Sequence, residues 1–409
     1  MHSSLSLLCC LVAGTAAFPW AAQLAGSQSP NTPVFKRQAQ SGTCPVHATS
    51  KGAIIDHYYP SKYLNASNGM PSNGKGGILV PAAGDTAHQF NAPASTDIRG
   101  PCPALNMGAN YNYLSHDGLT NYNEMVDFAQ NIFNWRYDLA VFVASFGVIM
   151  DGDVLTGGMS IGCNGGAQVP GLNTHDKFEA DTSIARTDYF LSPTGDSYSV
   201  NETLFNYWNN YCDGDFTLAC MGPYEGARYN QSLTTNGNFF YGPLGLFVLG
   251  TAALPSQSFA SLGNQGTPDV ATIAPFWAAN KTGTGADPYT VEPGYERIPA
   301  KWYNRPSPLS FPMIFAQVEE LYVASGSPPF GGNTGSPNSF VGLTVPKLGI
   351  NNGVLANSTA AGIACLFYQV LTDFIPLSLD DNLVLPLAEA AFGKAKLGAQ
   401  FAQFGCPGL

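Results

Sequence analysis

The stretch Asp97-Ile98-Arg99-Gly100-Pro101-Cys102-Pro103-Ala104-Leu105-Asn106 is the most informative in the chain. Cys102 stands between two prolines. Pro103 suits the first turn of a helix, where no backbone N–H is needed. A helix starting there puts Cys102 at its N-terminus, where unpaired N–H groups and the helix dipole favour thiolate over thiol. A rigid thiolate at a helix start is a good axial ligand for iron, and it favours O–O cleavage by donating electron density. On this chemistry alone, half of a disulfide is the competing reading of Cys102.

The other cysteines bear on that choice. The chain has nine. Cys9 and Cys10 lie in an apolar N-terminal run. Cys44, Cys102, Cys163, Cys212, Cys220, Cys365 and Cys406 remain. In an oxidising compartment cysteines pair, so an odd set leaves one over. That one is either a buried free thiol or a thiolate with a chemical role. No Cys-x2-Cys occurs and the six histidines do not cluster, so there is no zinc pattern.

Composition sets the wider frame. The 409 residues include 45% hydrophobic side chains, enough for a large core and unlike a disordered chain. There are 17 basic and 28 acidic residues, for a net charge of −11. Such a balance argues against nucleic acid as a partner, since a basic face is needed to replace counterions on phosphate. The 45 glycines and 30 prolines point to long loops. Leu5 to Val12 is apolar and is followed by small residues up to Ala17, which reads as a signal peptide over 1–17. It is too short to cross a bilayer. Lys36-Arg37 after a polar spacer reads as the end of a propeptide over 18–37. Five Asn-x-Ser/Thr sequons, at Asn65, Asn201, Asn230, Asn280 and Asn357, fit a secreted, extracellular glycoprotein. No later segment is apolar enough to make a membrane a partner.

Periodicity predicts a mainly α fold: a single helical domain with long loops and few short strands. Asn121 and Glu124 form a capping-box pattern before helically spaced apolar residues over 124–150. Helices are also expected over 203–211, 312–324, 360–372 and 386–404. Residues 243–253 are strongly apolar and ambiguous in type. The stretches 256–292 and 326–339 read as loops. An N-terminal extension covers 38–85.

The segment Pro101-Cys102-Pro103-Ala104-Leu105-Asn106, with Asn110 and the Leu114-Ser115-His116-Asp117-Gly118 run behind it, resembles the fungal haem-thiolate peroxidases, which include chloroperoxidase and the unspecific peroxygenases. A second motif follows in the right order, Phe178-Glu179-Ala180-Asp181-Thr182-Ser183-Ile184-Ala185-Arg186. The resemblance covers about residues 86–255, with a weaker tail. It implies a haem-binding domain over 86–325 and a C-terminal helical extension over 326–409 packed on it. It implies haem b with Cys102 as its axial ligand and Phe178 lining the distal side. It further implies Mg²⁺ (or Mn²⁺) beside a haem propionate, held by the Glu179 carboxylate, the Ala180 carbonyl and the Ser183 hydroxyl, hard oxygen ligands of the kind these ions prefer. Asp181 and Arg186 read as a structural ion pair about that turn. The tail resembles the longer branch of the family, which implies a Cys365–Cys406 disulfide. Cys212 could then pair with Cys220, and Cys44 with Cys163.

The resemblance implies an oxidoreductase using H₂O₂ to oxidise a small organic substrate. One departure stands against it. Peroxide activation needs a group to move a proton between the two peroxide oxygens. Aligned on Pro243 and Gly250, Leu244 falls where one branch of the family has an Arg, and Thr251 where it has a Glu. The other branch has a His at the position of Ala180. Glu225, the nearest upstream acid, is the candidate to substitute for the missing acid, against its plainer reading as a surface-loop residue. The departure favours an alternative, a secreted haem-binding protein that is non-catalytic or specialised. A third reading, a serine hydrolase, rests only on Gly158-Met159-Ser160-Ile161-Gly162, a pattern that needs a strand before it and a helix after it.

Overall fold

The computed structural model describes residues 63–163, 171–175, 180–372 and 384–406. Ten helices and ten short strands lie among them, so the fold is mainly α. The short helix α1, Pro103–Asn110, begins with Pro103. α2, Tyr122–Phe133, begins where expected: the Asn121 side chain accepts a hydrogen bond from the Glu124 N–H at 3.1 Å. Glu124 itself turns inward. Its buried carboxylate accepts from the Ser115 N–H and the Ser115 and Thr120 hydroxyls.

The apolar stretch over 124–150 is two helices rather than one. Asn134 ends α2 in the left-handed region, at φ 53°. Its side chain donates to the Arg305 carbonyl, 2.9 Å, a contact the local sequence cannot announce. α3, Tyr137–Asp151, then carries charge only at Asp138 and Asp151. It is buried almost all round, as expected of a central helix. Strands β1 (Leu119–Asn121), β2 (Gly152–Asp153) and β3 (Gly158–Ser160) form a small antiparallel sheet in the order β1-β3-β2.

α4 (Glu202–Tyr211) and α5 (Leu218–Thr235) are joined by a Cys212–Cys220 disulfide. α5 has no counterpart in the sequence reading, because Gly222, Pro223 and Gly226 disguise it. The glycines serve packing. A Cβ at Gly222 would lie 2.4 Å from the Ala324 Cβ, and one at Gly226 2.7 Å from the Ser325 carbonyl oxygen. The ambiguous apolar run after the two-residue strand β4 (Phe240–Tyr241) is a helix, α6, Gly245–Leu254. The loop-like 256–292 contains a four-residue helix α7 (Val270–Ile273) and a hairpin of β5 (Ala279–Lys281) with β6 (Tyr289–Val291). α8 (Phe311–Ala324) packs on α6, α5 and α9. β7 (Gly331–Gly332) bridges β4 and β8 (Val341–Gly342), and β9 (Ile350–Asn351) pairs with β10 (Val354–Leu355). α9 (Ala360–Thr372) and α10 (Val384–Ala402) close the bundle, α10 lying on α3. A Cys365–Cys406 disulfide fastens them. Cys163 is also disulfide-bonded, and Cys44 lies outside the described residues. No described helix is long and apolar enough to cross a membrane.

Candidate active site

Cys102 is the one free cysteine among the described residues. It is the N-cap residue of α1, in an extended conformation. The Leu105 and Ala104 N–H groups act on its sulfur, and the Arg186 guanidinium lies close enough to favour its charged form. The thiolate preference expected from the helix start is nevertheless overturned in the polypeptide alone. Burial pushes the Cys102 thiol above its ordinary range, outweighing those contacts. A coordinated metal ion reverses that balance, since its charge deprotonates a ligating thiol outright.

The turn before Cys102 is held rigidly. Gly100 is required there: a Cβ would sit 1.9 Å from the Ile161 carbonyl oxygen. The Asn106 side chain accepts from the Gly100 N–H (2.8 Å) and donates to the Gly100 carbonyl (2.9 Å) and to Glu296 (2.9 Å). Asn110 donates to the Gly294 and Glu296 carbonyls and accepts from Arg99. The residues of the motif that are not Cys102 therefore build its socket. Glu296 completes the brace, is buried, and carries a carboxyl group pushed above its usual range by that burial. Nothing in the sequence around Glu296 marks it.

Phe178 and Glu179 lie outside the described residues. Ala180 and Ser183 are described, and the Ser183 hydroxyl donates to the Ala180 carbonyl at 2.9 Å. Among the described residues no three His, Cys, Asp or Glu side chains gather as a metal site. α5 braces this loop. Arg228 donates to the Ser183 and Arg186 carbonyls and the Tyr224 hydroxyl to the Ile184 carbonyl. Asp181 is engaged by the Asn236 side chain and the Phe240 N–H, and Arg186 by the Tyr198 carbonyl. Arg228 also forms an ion pair with Asp188, at 3.6 Å.

Cys102 opens onto a cavity whose walls are almost wholly apolar. α2 contributes Phe128 and Phe133, α3 contributes Leu139, Ala140 and Val143, and α6 contributes Phe247 and Gly250. Phe315 of α8 and Phe367 of α9 complete it. Thr251 lies on the same wall, so the structure brings Cys102 and Thr251 to one cavity. The Thr251 hydroxyl donates to the Val248 carbonyl, 2.7 Å. No carboxylate, histidine or arginine is among the described lining residues.

Glu225 is not on a surface loop. It is buried in α5 and is not a wall of this cavity. Burial raises its carboxyl pKa to about 8, against the pull of Arg228, and Oε1 has no hydrogen-bond partner. Ser160 of the hydrolase-like pattern is also accounted for. It ends β3, no helix follows directly, and its hydroxyl donates to the Cys163 carbonyl.

A free thiol at a helix start, opening onto an apolar cavity, has the chemistry of a haem-iron ligand. The comparisons agree. The sequence pattern of "Peroxidase, family 2" matches residues 88–307. The dothistromin biosynthesis peroxidase dotB of Dothistroma septosporum is 32% identical over 81% of this chain and 83% of its own length. The aromatic peroxidase fscJ of Fusarium equiseti is 27% identical over 79% of each chain. An aromatic peroxygenase of Coprinellus radians is 34% identical over 43% of this chain and 71% of its own. The chain is a divergent member of the family 2 peroxidases, the haem-thiolate peroxidases, and an oxidoreductase.

Proposed function

We propose that the protein binds haem b through the Cys102 sulfur and uses H₂O₂ to oxidise a small, apolar organic substrate in the adjoining cavity. The observation that carries this reading is Cys102 itself: free, at the start of α1, and on the wall of the apolar chamber. A thiolate-bound haem supplies the oxidising chemistry. The polypeptide's part is to hold the sulfur through the Gly100–Asn106–Glu296 brace, to exclude water with aromatic walls, and to admit an uncharged substrate.

The usual proton-moving acid is replaced by Thr251 in this reading. Its hydroxyl is committed to the helix backbone, so it holds no proton for peroxide. Glu225 is not among the residues that line the cavity, so its carboxyl group is not presented to a peroxide held there. Slow turnover, or a specialised substrate that supplies its own proton donor, follows from that arrangement. A divalent cation beside the haem, held by Glu179, Ala180 and Ser183, rests in this reading on the family resemblance alone; in the chain the Ser183 hydroxyl donates to the Ala180 carbonyl. Export through the secretory pathway is supported by the N-terminal sequence and the Cys212–Cys220 and Cys365–Cys406 disulfides.

The test is spectroscopic. The reduced CO complex of haem-loaded protein is expected to show the red-shifted Soret band of thiolate ligation, and Cys102→Ala to lose it. A band typical of histidine ligation in the unchanged protein, or persistence of the red-shifted band in Cys102→Ala, overturns the assignment.

A further inference from the structure

Three of the four tryptophans among the described residues lie on one line of touching rings, and the fourth, Trp302, packs directly against it. The line begins on the cavity wall with Trp135 and Phe133, whose ring centres are 5.9 Å apart. Phe133 meets Trp302 at 6.0 Å and Phe259 at 5.4 Å. Phe259 meets Trp277 at 5.1 Å, and Trp277 meets Trp208 at 5.1 Å. Trp208 reaches Tyr224 at 6.3 Å. Tyr224 touches both Tyr211 (5.5 Å) and Tyr207 (5.8 Å). Those last two are 42% and 38% exposed, so the line ends at the surface.

Core packing accounts for buried rings in contact. It does not require three tryptophans to run in sequence from the cavity to a pair of exposed tyrosines, with the fourth against the same line. Indoles and phenols are among the side chains that give up an electron most easily. Phenylalanine does not, so Phe133 and Phe259 act as bridges. Electron tunnelling weakens exponentially with the gap between donor and acceptor, and steps between rings in contact outrun one long jump.

Proton chemistry fixes where the line ends. An oxidised phenol becomes a stable neutral radical only if its proton can leave. Tyr224 is fully buried, its hydroxyl donates to the Ile184 carbonyl, and burial holds its proton well above the ordinary range. A carbonyl cannot take that proton. Tyr207 and Tyr211 face water, which can. Trp208 keeps its own N–H on the Met221 sulfur, 3.2 Å away.

We infer that this ring line carries electrons inward from the surface, making Tyr207 and Tyr211 a second oxidation site for phenols too large to enter the cavity. The inference rests on the haem-peroxidase reading above. Two phenol molecules at the surface each lose one electron and one proton. The two electrons travel inward along the rings and, with two protons, reduce one H₂O₂ to two waters. Two phenoxyl radicals leave.

The test uses haem-loaded protein given H₂O₂ without substrate, in the presence of a nitroso spin trap. Peptide mass mapping is expected to find adducts on Tyr207 and Tyr211, and Trp208→Phe to lower them by an order of magnitude. In parallel, oxidation of a phenol coupled to dextran is followed. It is expected to collapse in the double variant Tyr207→Phe/Tyr211→Phe, which keeps both rings and disturbs no core packing, while consumption of H₂O₂ with a small free arene is unchanged. Absence of adducts at the pair, or unchanged oxidation of the dextran-bound phenol in the double variant, overturns the inference. Peroxide consumed without surface adducts defeats the ring line alone. No peroxide consumption and no thiolate-type Soret band defeats both readings.

Discussion

Cys102 shows how a single residue acquires its chemistry from its neighbours. The helix start pulls its sulfur toward the thiolate and burial pushes it the other way, and in the polypeptide alone burial wins. The socket was legible locally at Pro101 and Pro103, but not at Gly100, nor at Glu296, which lies 190 residues from the Asn106 it braces. Thr251 belongs at this scale too. Thr251→Glu places a carboxylate on the cavity wall and is expected to raise the rate of reaction with H₂O₂ by about 10²–10⁴-fold, the usual worth of a positioned acid–base group. Stopped-flow spectroscopy measures it, and an unchanged rate counts against the alignment of Thr251 with the acid position. Glu225 yields a stability prediction. Its carboxyl titrates near pH 8 in the folded chain, against an ordinary value of 4.5. The folded state therefore keeps a proton that the unfolded chain releases. Stability is fullest below about pH 4.5 as far as this group is concerned, and falls as pH rises toward 8, by up to about 1.4 kcal/mol per pH unit. Urea denaturation across that range is expected to show the slope, and Glu225→Gln to flatten it.

Elements were readable where one local cause made them. The Asn121 cap, the Pro-led start of α1 and the apolar run of α9 each follow from a few adjacent residues. α5 was not readable, because its glycines and Pro223 are poor helix formers tolerated for close approach to α8. The split between α2 and α3 was hidden because Asn134 is locked by the distant Arg305 carbonyl. The Cys365–Cys406 disulfide ties α9 to the segment after α10 and closes a separation of 41 residues. Replacing both with alanine is expected to cost about 2–4 kcal/mol. Thermal denaturation of the double variant measures this, with haem loss expected at lower temperature because Phe367 of α9 lines the cavity. A midpoint equal to that of the unchanged protein would show the cross-link to be idle.

At the scale of the whole molecule, a lightly charged chain lines one chamber with aromatic side chains and runs a path of touching rings outward from it. The C-terminal helices are part of that chamber and not merely a cover, since α9 supplies a wall residue. The sequence by itself determined the helical class and the family, and it singled out Cys102 from the other cysteines. Those depend on covalent order and on hydrogen bonds spanning a few residues, so a short motif contains them. Only the tertiary structure decided which walls face Cys102, that Thr251 shares its cavity, that Glu225 is buried, and that the tryptophans align. Each of these requires residues far apart in the chain to meet, and packing of whole helices, which no local pattern encodes, brings them together.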